Sequence, residues 1–570
     1  MTSQQTVTQS PEQIWVGHVR KAVRRFLKTA VVVDNEPGLS REPVKVAEIA
    51  LPADAWSDNS DYKAASPDVA GKSPEANVLD IRKISDSFAE QDMVCAFVLP
   101  ENSDDEVEKI KSRVVSAARS ADILVMDWQL KPGSSGLTLK ILREIAESDA
   151  SENGRMRLIC IYTGEVLDDH VFSQAKEHLA VSGVDYKDVR GVSGFPYLAK
   201  SANSLLVLAN KDDIPADELP SKLVDVFSKL PDGIIPAFAL AAIGAVRKNT
   251  HHMLTRFSSS LDVAYVANRL ITNPPGDVAE LMRELLVAEC DNAIGLDSVA
   301  DEFLEPSAIS SWLDVRGMSP FSYYTGDGPS RKGVLFDRNS IDALLKNGIN
   351  DHGIKISNSV KQEFSEGDRG LISYSLAGSV ESSHRAENEF SRLVAFRREA
   401  FGGSINYLAD GWLPSLTTGT LLKLSAPTGD RYFLCFTPAC DTLRLNGPRP
   451  FVFLEGVGQA KPYNLVALDE TGEVGLYFNK SYPQVATFSF KPDKKLKRVR
   501  AQKIREQDGV EKYIFSPVHD TQQKLVWLGE VRYGRAMSEM AELVSRWMRV
   551  GILDSEHLRL AGRKNFTFMK

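Results

Sequence analysis

Four apolar runs of the 570-residue chain end in polar residues whose chemistries complement one another. Ala30-Val31-Val32-Val33 ends at Asp34-Asn35-Glu36, and residues 121–126 end at Asp127. The run 156–162 ends at Thr163-Gly164, and 204–209 ends at Asn210-Lys211. A carboxylate can accept a phosphoryl group only where a divalent cation neutralises the incoming oxygens, which calls for further acids or carbonyls. A fixed ammonium must hold the group, and a hydroxyl can register its arrival. The covalent product is an aspartyl phosphate. An acid cluster, a lone Asp, a Thr and a Lys supply each of these parts. Singly, each residue has a plainer reading: a strand-terminal Asp caps the next helix, Thr-Gly makes a turn and Lys faces solvent. Joint placement at four strand ends is what favours the chemistry.

Such placement needs a scaffold, and the apolar pattern supplies one. Strands are expected at 30–33, 93–99, 121–126, 156–162 and 204–209. Helices are expected at 11–27, 80–90, 104–120, 136–147, 171–179 and 215–230. Within 11–27, Ile14, Val19, Val23 and Leu27 lie roughly on one face. The strands are continuously apolar instead of alternating, so both faces of their sheet must be covered. The expectation is a doubly wound, five-stranded parallel sheet, whose functional residues collect at the carboxyl ends of the strands. Residues 38–78, rich in Pro, Ser, Asp and Ala, read as an insertion.

The segments VVVDNEP (31–37), ILVMDWQLKPGSSG (123–136), CIYTG (160–164) and LVLANK (206–211) resemble the receiver domain of response regulators. The resemblance covers about residues 27–230. It implies that Asp127 is the phosphoacceptor, Thr163 the switch hydroxyl and Lys211 the phosphate-binding cation. It also implies a Mg²⁺ site built from Asp34, Asp127 and the Gln129 carbonyl. Asn35 stands where many receivers carry a second acid, with Glu36 as the neighbouring substitute. Lys211 runs into Asp-Asp-Ile-Pro instead of directly into proline. Two readings stay open: a receiver phosphorylated by a partner kinase, and a degenerate receiver that docks a kinase-like ATPase without phosphorylation.

The whole chain reads as α/β plus α+β. A single helix is expected over 1–26, the receiver-like domain over 27–232, a helical region over 233–325 and a mixed linker over 326–409. A β-rich domain over 410–530 and terminal helices over 531–570 complete it. In the β-rich part the period changes to two, with strands at 420–425, 431–436, 451–454, 463–468, 474–478 and 484–491. That predicts a small antiparallel sheet or partly closed barrel. Long and short helices follow at 533–552 and 554–560. His251-His252 reads as a helix end, and Trp312, Phe321, Tyr323 and Tyr324 as an aromatic-rich loop. Cys435 and Cys440 precede Asp441. With His519 or His557 they could make a nucleophile, but a strand-to-turn role is the plainer reading.

The segment CFTPACDTLRL (435–445) resembles one in large receiver-containing proteins of bacterial conflict and phage-defence loci. Those are encoded beside histidine-kinase-like or heat-shock-ninety-like ATPases, so the resemblance implies such an ATPase as partner. Lys491, Lys494, Lys495, Lys497, Arg498, Arg500, Lys503 and Arg505 crowd one stretch of a chain whose net charge is −8. They suit a phosphate backbone or an acidic partner, or else guard an exposed strand edge against wrong pairing. Self-association is the other partner class. No helix-turn-helix pattern appears, so a conventional DNA-binding output is not expected. Five scattered cysteines suit a reducing compartment. No signal-peptide pattern opens the chain, and the apolar run 234–246 is too short for a bilayer, so a cytoplasmic, non-membrane protein is expected. No catalytic activity of its own is expected.

Overall fold

The computed structural model describes residues 10–38, 78–100 and 107–547, except 153, 182–183, 193, 273–277, 326–331, 350–353, 356–360, 363–368, 403–410, 428, 460–461, 506–510 and 521. The helix expected at 554–560, most of the 38–78 insertion and His557 lie outside the described residues. The chain divides into two units. One comprises Met1–Ser259, Arg283–Gly317 and Leu344–Gly348, and the other Ser260–Met282, Met318–Ala343 and Ile349–Lys570.

In the first unit, α1 (Pro11–Phe26) opens with a capping box: Ser10 Oγ accepts from the Gln13 N–H, and the Gln13 side chain accepts from the Ser10 N–H. Its buried stripe is Trp15, Val19, Ala22, Val23 and Phe26. Ile14, expected on that stripe, is 45% exposed. One helical turn back from Val19 lands on Trp15, and the larger indole fills the position.

The elements that follow are β1 (Thr29–Val33), α2 (Ile81–Glu90), β2 (Val94–Val98), α3 (Val107–Ala118), β3 (Ile123–Met126) and α4 (Gly136–Ser151). Then come β4 (Arg157–Thr163), α5 (Asp169–Leu179), β5 (Lys187–Val189), β6 (Tyr197–Lys200), β7 (Ser204–Asn210) and α6 (Leu219–Phe227). They build a seven-stranded sheet in the order β2-β1-β3-β4-β7-β6-β5. The five expected strands are its parallel part. The sheet is mixed because residues 187–200 form a hairpin that adds antiparallel to β7. The exposed sequence Lys187-Asp188-Val189 carries no apolar alternation to announce a strand.

Alternate residues of the parallel strands feed two cores. Val32, Val125, Cys160 and Val207 face one, with α1, α2 and α6. Val31, Leu124, Ile159 and Leu206 face the other, with α3, α4 and α5. Pro37–Gly38 pairs in parallel with Leu79–Asp80, so the insertion leaves and rejoins the domain at one place. α7 (Ile234–Lys248) buries one face only: Ala237, Ala241 and Ala245 pack with Ala22, while Ile235 and Ile243 stay half-exposed. Phe303 of α8 (Val299–Phe303) joins this small core. Among the described residues no helix is long and apolar enough to cross a membrane.

In the second unit, residues 321–325 are not a loop: Phe321–Thr325 pairs antiparallel with Lys332–Phe336. The main body is β8 (Phe396–Glu399), β9 (Thr420–Leu424), β10 (Arg431–Cys435), β11 (Arg449–Gly458), β12 (Leu465–Asp469), β13 (Gly472–Tyr477), β14 (Gln484–Phe490), β15 (Gln502–Arg505), β16 (Glu511–Phe515) and β17 (Leu525–Val531). They form one antiparallel half-barrel sheet of ten strands, with β8 and β14 branching from β17 and β11. Phe433, Phe451, Phe453, Phe490, Phe515 and Trp527 fill one face. On the other, Tyr432, Leu434, Leu454 and Leu528 meet Ala536 and Leu543 of the closing helix Tyr533–Trp547.

The α1–α7 contact supplies a test. A Cβ on Gly244 would sit 2.5 Å from the Arg25 carbonyl oxygen, a backbone atom that cannot swing aside. Gly244→Val should therefore lower stability by roughly 2–3 kcal/mol despite its better helix propensity. A thermal melt of the full chain reads this out, and an unchanged midpoint would show that α1 is not docked this closely.

Candidate functional site

Asp34 follows β1, Asp127 follows β3, Thr163 ends β4 and Lys211 follows β7. The parallel register puts all four at the same edge of the sheet, and strand order reverses between β1 and β3, where a crevice opens. Lys211 is fixed by its backbone, whose N–H donates to the Thr163 carbonyl at 2.9 Å. The Asp-Asp-Ile stretch that follows forms a turn held by Asn210: its Oδ1 accepts from the Asp212 N–H and its carbonyl from the Ile214 N–H. The Lys211 ammonium reaches past the end of β4, donating to Asp34 Oδ2 at 2.7 Å and to Asp127 Oδ2 at 2.9 Å. On the way it passes the Tyr162 ring, whose centroid lies 5.9 Å from Nζ.

The second oxygen of each acid is held by backbone. Asp34 Oδ1 accepts from the Glu36 N–H and Asp127 Oδ1 from the Gln129 N–H. Thr138, fully buried in the first turn of α4, donates its hydroxyl to the Asp127 carbonyl. No sequence signal marked Thr138 or Tyr162, because each looks like an ordinary helix or strand residue. The Thr163 hydroxyl is buried and accepts from the Glu165 N–H.

Three charges thus share a buried site with a net charge of −1. Burial pulls the Lys211 ammonium down, but the two carboxylates outweigh it and hold its pKa above the ordinary lysine value. Burial pushes the Asp34 pKa up, and the charge of Asp127 adds to that against the opposing pull of Lys211. A buried site one positive charge short is suited to a cation. Mg²⁺ takes one or two carboxylates and fills its shell with waters and phosphate oxygens. Asp34, Asp127 and the Gln129 carbonyl fit that habit. Glu36 is exposed and Asn35 half-buried. Among the described residues no three acidic, His or Cys side chains converge as a metal group. The Glu36 backbone N–H caps Asp34 and its carbonyl accepts from Leu79, an arrangement that leaves the side chain in solvent.

The match to known families falls on this region. Residues 26–215 match the family described as the response receiver domain. The first unit carries a receiver domain. No curated protein and no solved structure matches the chain.

The other sequence candidates belong to other elements. Cys435 is completely buried, and burial pushes its thiol up to about 12, which suits packing and not nucleophilic attack. Cys440 is exposed on the turn Ala439–Thr442, with Asp441 Oδ1 3.8 Å from its sulfur. His519 is exposed, as are His251 and His252, whose rings lie 3.9 Å apart. Lys491, Lys494, Lys495, Lys497, Arg498 and Arg500 lie in the second unit, between β14 and β15.

Lys211→Met tests the electrostatics. It leaves two buried carboxylates without their cation, at a cost of about 3–5 kcal/mol at pH 8. Because an acid with a raised pKa binds its proton more tightly when folded, the deficit should shrink as pH falls toward the carboxylate range. Parallel denaturant titrations of both proteins at pH 8 and pH 5 measure this. A deficit that is constant with pH would contradict the charge assignment.

Proposed function

We propose that the receiver domain is a phosphorylation switch in which Asp127 accepts a phosphoryl group from a partner kinase. The observation that carries this reading is the Lys211 ammonium bridging Asp34 and Asp127 at the carboxyl edge of the sheet. An Asp127 carboxylate oxygen attacks phosphorus, the bond to the donor breaks, and the donor leaves with its electron pair. Mg²⁺, held by Asp34, Asp127 and the Gln129 carbonyl, would neutralise charge on the transferred oxygens. Lys211 exchanges its contact with Asp127 for the new phosphoryl oxygens, and the Thr163 hydroxyl turns toward them from the Glu165 N–H.

The change has a route outward. Glu165 is tied to β7 through the Asn210 amide, which donates to its carbonyl. Past this loop, Asp168 caps α5, and Phe172 of α5 packs on Tyr197 of the added hairpin at 5.2 Å. Movement of the 164–168 loop would thus alter the fit between α5 and the hairpin, a two-state element of the kind switches bias.

In this reading the protein is an atypical response regulator without catalytic activity of its own, working in the cytoplasm. A histidine-kinase-like or heat-shock-ninety-like ATPase would be its donor, and bacterial antiviral defence its setting. Incubation of the full chain with acetyl phosphate and Mg²⁺ should add one phosphoryl group by intact mass, and Asp127→Asn should abolish it. No adduct on the wild-type chain at saturating donor would sink the reading.

A second reading rests on one observation: Lys211 already occupies Asp127, whose side chain is only 10% exposed. A pseudo-receiver would keep that triad permanently and dock its ATPase partner unphosphorylated. Retention of partner binding and signalling by Asp127→Asn favours this adaptor.

A further inference from the structure

Among its described residues the second unit ties several cations into carboxylate clusters. Lys423 meets Asp430, Asp469 and Glu470; Arg431 meets Glu455; Arg392 meets Glu399 and Glu473; Lys480 meets Glu539 and Glu542. One end of the sheet departs from this pattern. The loop after β14 turns tightly, with the Asp493 N–H donating to the Arg498 carbonyl and the Lys497 N–H to the Asp493 carbonyl. Asp493 spends its carboxylate on the N–H groups of Lys495 and Leu496. The Leu445 N–H donates to the Lys497 carbonyl, which brings the loop before β11 alongside. Arg449 at the start of β11 lies opposite Phe490, the residue before Lys491. Val499 and Leu445 are buried beneath and fix the backbone.

The outcome is a surface drawn from two segments far apart in sequence: Arg444 and Arg449 with Lys491, Lys494, Lys495 and Lys497. All but Lys497, which is half-buried, are exposed, and among the described residues none of the six lies in an ion pair. Lys503, by contrast, is paired with Glu511 across the β15–β16 hairpin.

We propose that this end of the half-barrel binds the phosphate backbone of duplex nucleic acid. A lysine-guarded strand edge does not explain it, because Arg444 comes from a separate loop and Arg449 from the end of β11 that pairs with β14. An acidic protein surface is the poorer partner. Protein interfaces deplete lysine and centre on aromatic or other apolar anchors, whereas Leu496 is the only large apolar side chain exposed within the 491–500 turn. Lysine-rich surfaces without an apolar centre match phosphate contacts, which are independent of base sequence. The six side chains include no aromatic ring, so the base stacking that single strands require is absent.

The test uses the full-length chain and a fluorescein-labelled, mixed-sequence DNA duplex in an anisotropy titration. If about four phosphates are neutralised, affinity should fall roughly a hundred-fold between about 50 and about 200 mM salt. The Lys491→Gln/Lys494→Gln/Lys495→Gln/Lys497→Gln variant should bind at least about ten-fold more weakly, with a flatter salt slope. Lys503→Gln should bind like wild type, and a thermal melt of the quadruple variant should stay close to wild type because, among the described residues, none of those four side chains makes a hydrogen bond or an ion pair. Absence of binding at low salt overturns the proposal, as does equal loss in Lys503→Gln. Tighter binding to poly-glutamate than to the duplex would overturn it in favour of an acidic protein partner. Should the quadruple variant fail to fold, Arg444→Gln/Arg449→Gln supplies the same comparison from the other segment.

Discussion

The Lys211 ammonium, held between Asp34 and Asp127, is the interaction around which the receiver domain is organised. It joins the ends of β1, β3 and β7 across the intervening β4, so four neighbouring strands must keep one register for it to form. Buried ion pairs seldom add net stability, because desolvation offsets the Coulomb gain. This one costs more than most, since two carboxylates share one cation. A fold that keeps such an arrangement at the crevice of a parallel sheet is holding an electrostatic deficit in place. The apolar cores on either face make that tolerable: Val31 to Val33, Ile123 to Met126 and the whole of β4 are buried, so the strand ends cannot shift to relieve the charge.

The deficit was readable in the sequence because of how the strands are written. Each parallel strand is an unbroken apolar run that stops at a polar residue, and a run that stops marks its own carboxyl end. Asp34, Asp127, Thr163 and Lys211 were found by that signal alone, even though Lys211 lacks the usual following proline. The bridge itself was not readable. No sequence pattern says that an ammonium on β7 reaches past β4, or that Tyr162 and Thr138 line its way. Glu36 illustrates the converse. Its position beside Asp34 suggested a third acid, but backbone hydrogen bonds at the insertion's junction decide where it points, and those depend on Leu79, more than forty residues later.

The second unit was legible in class and less so in detail, again for a physical reason. Arg431–Cys435 is buried from its second residue on and feeds a core on each face, so it announces itself as an apolar run. Gln502–Arg505 is an edge strand with mostly exposed side chains, so its sequence reads as a charge run. Lys423 hides in the opposite way. It occupies an apparent surface position in Thr-Leu-Leu-Lys-Leu, yet it is buried and held by three carboxylates. Burial lowers its proton affinity, and those acids more than restore it.

The two buried lysines differ in how their surroundings balance their charge. The acids around Lys423 are Asp469 at the end of β12, Glu470 next to it and Asp430 just before β10, and Asp469 also accepts from Thr471 and is held below the ordinary carboxylate range despite its burial. Asp430 and Glu470 are 39% and 33% exposed, so water screens the charge that Lys423 does not neutralise. At Lys211 the sign is reversed: the acid beside it, Asp34, is held above its ordinary value. The same fold vocabulary, a lysine among carboxylates, therefore makes a solvent-screened cluster in one unit and a closed, buried triad in the other, and the neighbouring acids are shifted in opposite directions.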